Sequence, residues 1–216
     1  MLKLLVIEDH ALVREGLVQV LRQLDKEVQV FEAGECDGAL ALLEAEREFD
    51  LVLLDIALPG IDGLACLNIF RTRFPATPVV LVSAYDDAHT VNRALKHGAS
   101  GFIPKSYSTE RLLAAIRQVL AGNIHTPEQL MPVNLAPDLA PAPAIQEAPA
   151  SEFGLTERQA EVLGLMSKGK SNRDIATLLG LSEGTVKIHI TAIFKALGVN
   201  SRTQALVAVA RLGIRV

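Results

Sequence analysis

Four short apolar runs, each ending on a polar side chain, set the pattern of the first half of the chain. Leu4-Leu5-Val6-Ile7 runs into Glu8-Asp9, Leu51-Val52-Leu53-Leu54 into Asp55, Val79-Val80-Leu81-Val82 into Ser83, and Phe102-Ile103-Pro104 into Lys105. Runs without polar alternation read as strands buried on both faces, as in a parallel sheet. With the helical periodicity between them, they predict strands near 3–7, 28–31, 51–54, 78–83 and 101–104. Helices are predicted near 11–24, 36–47, 63–73, 87–97 and 108–121. Parallel neighbours need crossover connections, so five such units predict an α/β domain with helices on both faces of one sheet. Pro59-Gly60 and Asp62-Gly63 mark a turn after the third strand, and Gly98 and Gly122 sit where helices should end.

The pattern changes twice after residue 122. Residues 126–150 hold six of the chain's ten prolines, interleaved with alanine. Repeated proline forbids helix, and at ~3.1 Å per residue such a spacer spans on the order of 75 Å. From Leu155 onward the periodicity is helical only, in four short segments. Thr156 with Gln159 forms a capping-box signature, Ser171 and Ser182 are placed to cap the second and third helices, and the fourth follows Ser201. Two short helices joined by the turn Gly180-Leu181-Ser182 are the helix-turn-helix arrangement.

Charge follows the same division. Up to residue 125 the chain has 12 Lys/Arg against 17 Asp/Glu, residues 126–150 have three acids and no base, and residues 151–216 have nine bases against five acids. A basic tail on a chain of net charge −4 is compatible with a polyanionic partner. Cys36 and Cys66 lack C-x-x-C spacing and read as two small core residues without disulfide or metal role. The first apolar run breaks at Glu8, too early for a signal peptide, and no run has membrane-spanning length. The expectation is a cytoplasmic protein with no membrane partner.

Ligand sites of parallel sheets lie outside the carboxyl ends of the strands. The polar residues at four strand ends are therefore expected to converge. Glu8, Asp9 and Asp55 suit Mg²⁺, which takes oxygen ligands and keeps several waters. Beside the ion, Asp55 is placed to act as a nucleophile and form an acyl phosphate. Lys105 would pair with one phosphoryl oxygen and Ser83 would hydrogen-bond another.

On the third tail helix, Val186, Ile190, Ile193 and Leu197 form the stripe that must face the core. Gly184, Lys187, Ile188, Thr191 and Lys195 lie opposite. Ile188 on that face fits a major groove, against a thymine methyl, with Lys187 toward guanine acceptors. Thr185, His189, Lys195 and Arg202 are expected to touch phosphates. The last helix is apolar almost all round, through Ala205-Leu206-Val207-Ala208-Val209-Ala210, so one face should want a partner.

Residues 1–122 resemble the receiver domain of two-component response regulators: acidic pair, phosphoacceptor, Ser and Lys follow the first, third, fourth and fifth strands. Leu155-Thr156-Glu157-Arg158, Lys170 to Ala176, Thr185 to His189 and Leu197 to Arg202 resemble the LuxR-type helix-turn-helix. Joined, they resemble a NarL/FixJ-type regulator. The resemblance implies a flavodoxin-like receiver over 1–122, a linker over 123–150 and an all-α four-helix DNA-binding domain over 151–216. It further implies that Asp55 accepts a phosphoryl group from a sensor histidine kinase and that the backbone carbonyl of Ala57 joins the Mg²⁺ ligands. Ser83 and Phe102 match the family's switch pair. Dimerisation through the last helix, at Leu206, Val209 and Ala210, implies inverted half-sites on double-stranded promoter DNA. Ala57, with no polar side chain, and Tyr85 as a shield predict slow loss of the phosphoryl group. Ala57 also argues against a phosphohydrolase of the haloacid dehalogenase type, which carries a second Asp there. No enzyme activity is expected. The remaining alternative is a phosphorylation-independent dimer using the receiver as an interaction module.

Overall fold

The computed structural model describes the chain except Met1, Arg47, Glu48, Asp86, residues 128–147 and Val216. The predicted proline-rich spacer falls largely on 128–147 and lies outside the described residues. The first half alternates β1 (Lys3–Ile7), α1 (Ala11–Leu21), β2 (Gln29–Ala33), α2 (Cys36–Ala45), β3 (Leu51–Asp55) and α3 (Gly63–Arg73). It continues with β4 (Val79–Ser83), α4 (Ala88–Lys96), β5 (Gly101–Pro104) and α5 (Thr109–Leu120). The strands pair in parallel in the order β2-β1-β3-β4-β5. This is the flavodoxin-like order, with its switch point between β1 and β3.

All five residues of β3 and of β4 are buried, as an uninterrupted apolar run requires. Leu5, Ile7, Val52, Leu54 and Leu81 point to the core under α2, α3 and α4. Leu4, Val6, Leu53, Val80 and Ile103 point to the core under α1 and α5. The period of two along each strand thus feeds both layers. Gly63 opens α3 against the end of β3, and a Cβ there would lie 2.4 Å from the Asp55 carbonyl oxygen. Only glycine admits that approach.

Cys36 and Cys66 form a disulfide joining α2 to α3, 30 residues apart in sequence. The sequence reading of two separate core thiols is corrected. Position 36 opens α2 and position 66 lies in the first turn of α3, and packing of the two helices side by side brings the positions to a Cα separation of 6.0 Å. Thiol spacing along the chain carries no trace of that packing.

The second half holds α6 (Glu157–Ser167), α7 (Asn172–Leu179), α8 (Glu183–Leu197) and α9 (Arg202–Leu212), around a core of Val162, Leu163, Met166, Ile175, Ile190 and Phe194. Thr156 and Ser171 complete capping boxes on α6 and α7, and Ser182 and Ser201 cap α8 and α9. This half is not helical throughout. A 3-10 turn (Ala150–Phe153) precedes α6, and β6 (Ala148–Pro149) pairs in parallel with β7 (Ile214–Arg215). Two-residue strands give too little period to read from sequence. Among the described residues no helix is long and apolar enough to cross a membrane.

Candidate functional site

β1 and β3 are adjacent with Ile7 beside Leu54, so the next residues, Glu8 and Asp55, emerge side by side. Both are buried, at 1% and 2% exposure. Lys105, just past β5, reaches over them. Its Nζ lies 2.7 Å from Glu8 Oε2 and donates to Asp55 Oδ2 at 3.0 Å. The other Asp55 oxygen, Oδ1, accepts the Ala57 backbone N–H at 3.2 Å. Burial alone would lower the Lys105 pKa, but hydrogen bonds and charge from Glu8 and Asp55 outweigh it and raise it.

The carboxylates of Glu8 and Asp9 stand beside the His10 ring, within 4.8 Å of one another, and His10 Nδ1 lies 2.9 Å from Asp9 Oδ1. His10 was absent from the sequence prediction, because a helix-flanking histidine carries no signal of its own. Three carboxylates against one lysine leave an excess of two negative charges. The buried Glu8 Oε2 contacts the Lys105 ammonium and, as a carboxylate oxygen, keeps a further lone pair for a cation. This hard-oxygen set fits a divalent cation of the Mg²⁺ type.

Ser83 ends β4, and Phe102 lies within β5 beside Leu81 of β4. The Ser83 hydroxyl accepts the Tyr85 N–H at 3.0 Å, and the Phe102 ring is wholly buried in the sheet core. Tyr85 is 72% exposed, so its ring faces solvent rather than packing against the buried Asp55 carboxyl.

On α8, Val186, Ile190 and Ile193 are buried as the stripe predicts, joined by Phe194. Phe194 falls just outside the arc that the stripe occupies. Ile188 is 70% exposed on the opposite face. Residues 4–117 match the family model described as response regulator receiver domain, and residues 154–209 match bacterial regulatory proteins, luxR family. The chain belongs to the LuxR-family response regulators. It is 37% identical to a glycerol metabolism activator of Pseudomonas putida over 215 residues, 96% of this chain and 95% of that one. It is 34% identical to the nitrate/nitrite response regulator NarL of Escherichia coli K12, covering 94% and 93%. Among solved structures, the heme-sensing-system response regulator ChrA is 27% identical, covers 97% and 96%, and has a TM-score of 0.50. A LuxR family DNA-binding response regulator from Silicibacter pomeroyi is 32% identical over 60% of this chain and 99% of that one, with a TM-score of 0.54. This response regulator is thus a transcription factor that joins a receiver to a LuxR-type DNA-binding domain.

The expected DNA-contacting residues of the regulator divide in two. Lys187, Ile188, Thr191 and Lys195 line a cleft of about 1020 Å³ whose other wall is receiver residues Glu44 and Arg73 to Thr77. Thr185 and His189 are half-buried beside them, and the Thr185 hydroxyl lies 2.8 Å from the capping Ser182. Arg202 is a correction. Its guanidinium turns inward and donates to the carbonyls of Met166 and Lys170, closing the turn after α6, and desolvation lowers its pKa to about 10. It is a structural cation, not a phosphate contact. On α9, Leu206 and Val209 pack partly into their own core, whereas Val207, Ala210 and Leu212 are exposed. The outward apolar face is therefore shifted from the predicted set, keeping Ala210.

The regulator's DNA-binding domain sits against the receiver. Lys187 Nζ donates to the Phe49 carbonyl at 2.8 Å, Gln204 Nε2 to Lys96 O at 3.2 Å, and Asn172 Nδ2 to Ala76 O at 3.5 Å. Ala76 packs onto the tail core. The loop carrying Ala76 is held by Arg71, a buried guanidinium that donates to Pro75 O and Thr77 O. A sequence reading gives Arg71 no role, since a helical Arg looks like a solvated one.

Proposed function

We propose that this regulator takes a phosphoryl group on Asp55 from a sensor histidine kinase in a Mg²⁺-dependent reaction, and that this modification controls DNA binding. The observation that carries the reading is Lys105, whose ammonium joins Glu8 and Asp55 in one buried cluster. Glu8, Asp9 and Asp55, with the Ala57 carbonyl, would hold the cation, which neutralises charge on the incoming phosphoryl group. Asp55 attacks phosphorus and the kinase histidine leaves with its electron pair. Lys105 pairs with a phosphoryl oxygen, and the Ser83 hydroxyl turns from Tyr85 N–H to another, with Phe102 packed inward behind it.

In the unphosphorylated form the receiver covers α8. A reading helix must sink into a groove ~8.5 Å deep, so duplex walls must rise on both sides of it. Receiver residues Glu44 and Arg73 to Thr77 stand across the cleft from α8, where one of those walls would rise. Phosphorylation favours the open form, in which Lys187, Ile188, Thr191 and Lys195, flanked by Thr185 and His189, face DNA. Two copies pair through the apolar outer face of α9 on inverted half-sites, in the cytoplasm. Promoter-DNA anisotropy with and without a beryllofluoride phosphate mimic tests this. Wild type should tighten with the mimic, and Asp55→Asn should not respond. Equal tightening in Asp55→Asn would instead favour the phosphorylation-independent module.

A further inference from the structure

The domain interface holds a second ionisable feature, away from the strand ends that carry Asp55. Glu183, in the first turn of α8, meets Asp50, which precedes β3 at the opposite end from Asp55. Glu183 lies one turn before Lys187 on α8 and Asp50 follows Phe49, so the Lys187–Phe49 hydrogen bond brings the two carboxyls face to face across the domain boundary, and both line an interdomain cavity of about 250 Å³. Two carboxylates held together in a desolvated interface ionise together only at a cost, so the pair favours sharing one proton. Asp50 is fixed in place, because its Oδ2 accepts the Lys3 backbone N–H at 2.8 Å. Its neighbour Phe49 accepts Lys187, so the carboxyl pair and the lysine clasp sit one residue apart.

We propose that the Asp50–Glu183 contact is a proton-operated latch: one shared proton holds the DNA-binding domain on the receiver, and its loss favours release of α8. This rests on the covered form described above. Closing takes one proton from solvent into the contact, and opening returns it.

The surroundings support the assignment. From its own domain Glu183 is faced by Lys187 on α8 and Arg173 on α7, both of which favour its ionised form. From the receiver it is faced by Asp50. Asp25, Arg71, Arg117 and Arg202 line the remainder of the cavity, and the Lys3 ammonium pairs with Glu46. Desolvation comes first, followed by the charge and hydrogen bond of Asp50, and together they outweigh the two cations and raise the Glu183 pKa. The sign follows. Glu183 binds its proton more tightly when closed than when open, so the latch is at full strength below its ordinary open-state value. It is lost as pH rises through the raised closed-state value. Between the two, a single linked proton changes the closed-to-open ratio up to tenfold per pH unit.

The test is energy transfer between a donor on α1 and an acceptor on α9 of the full unphosphorylated chain, at nanomolar concentration and fixed ionic strength, without DNA or Mg²⁺, from pH 5 to 8.5. Wild type should go from compact toward open as pH rises. Glu183→Gln and Asp50→Asn, whose amides supply the hydrogen permanently, should stay compact with no such trend. Histidine titrations are common to wild type and variants and cancel in the comparison. A compact wild type whose pH profile matches both variants overturns the latch and leaves the covered form standing. A wild type extended at every pH overturns the covered form itself, and the latch with it.

Discussion

Replacing Lys105 with methionine removes the cation that contacts both buried carboxylates, Glu8 and Asp55, while keeping a similar volume. At 2.7 and 3.0 Å, and with an effective dielectric constant of about 20, each contact is worth roughly 6 kcal/mol of gross Coulomb energy. Most of that offsets the desolvation of three buried groups, and breaking such a cluster typically costs about 3–5 kcal/mol. The Lys105 side chain is 22% exposed, which places the expectation near the low end, about 3 kcal/mol. For a receiver of this size that lowers the melting temperature by roughly 10 °C. A divalent cation among the same carboxylates replaces the lost charge, so Mg²⁺ should restore more stability to the variant than it adds to wild type. Calorimetry of the receiver transition, with and without millimolar Mg²⁺, reads both quantities. A variant that melts like wild type without Mg²⁺, or gains less from Mg²⁺ than wild type does, would refute the charge accounting.

Other expectations are as sharp. Because Arg202 bonds the Met166 and Lys170 carbonyls, Arg202→Ala should destabilise the tail by about 2 kcal/mol and leave the salt slope of DNA binding unchanged. Lys195→Ala, which removes an exposed cation beside the reading face, should instead lower that slope by about one. Reducing the Cys36–Cys66 bridge opens a 30-residue loop and should cost roughly 3 kcal/mol of receiver stability, while an intact protein that titrates two free thiols after denaturation would contradict the pairing. Arg71→Met should free the 75–77 loop and raise protease sensitivity there, with loss of the compact form in energy-transfer measurements.

What the sequence disclosed follows from how each feature is encoded. The strand ends were legible because a two-sided buried strand needs an unbroken apolar run, and the first polar residue after it marks the sheet edge. Glu8, Asp55 and Lys105 meet as that logic requires. The interdomain docking was not legible in detail, because the hydrogen bonds that Lys187, Asn172 and Gln204 donate end on the carbonyls of Phe49, Ala76 and Lys96. Every residue has a carbonyl, so no residue type signals the contact. Arg202 misled because charge at a helix start looks solvated until the neighbouring turn supplies carbonyls. The α9 assignment slipped because a helix apolar all round does not say which side its own core takes.

The two ends of the regulator are joined by elements of unequal stiffness. β3 runs from beside Asp50, at the docked domain, to Asp55, but all five of its residues are buried and paired on both sides. A sliding strand would turn every side chain to the wrong layer, so β3 is a fixed strut. α4 follows the Ser83–Tyr85 turn at one end, and at the other its Lys96 carbonyl holds Gln204. Just beyond, Gly98 approaches the domain so closely that a Cβ there would lie 2.9 Å from Ser201. Of α4 only Val91, Ala94 and Leu95 are buried, so the helix is seated on the sheet by a single apolar stripe. On the proposed function, the Ser83 hydroxyl would leave the Tyr85 N–H for a phosphoryl oxygen, and the turn feeding α4 would lose its tie. The Lys96 and Gly98 contacts would then move with the helix, while the proposed latch at Asp50 would stay with the strut. On the two proposals above, release of the DNA-binding domain would have two inputs, phosphate through α4 and protons through Glu183, acting on one closed-to-open equilibrium.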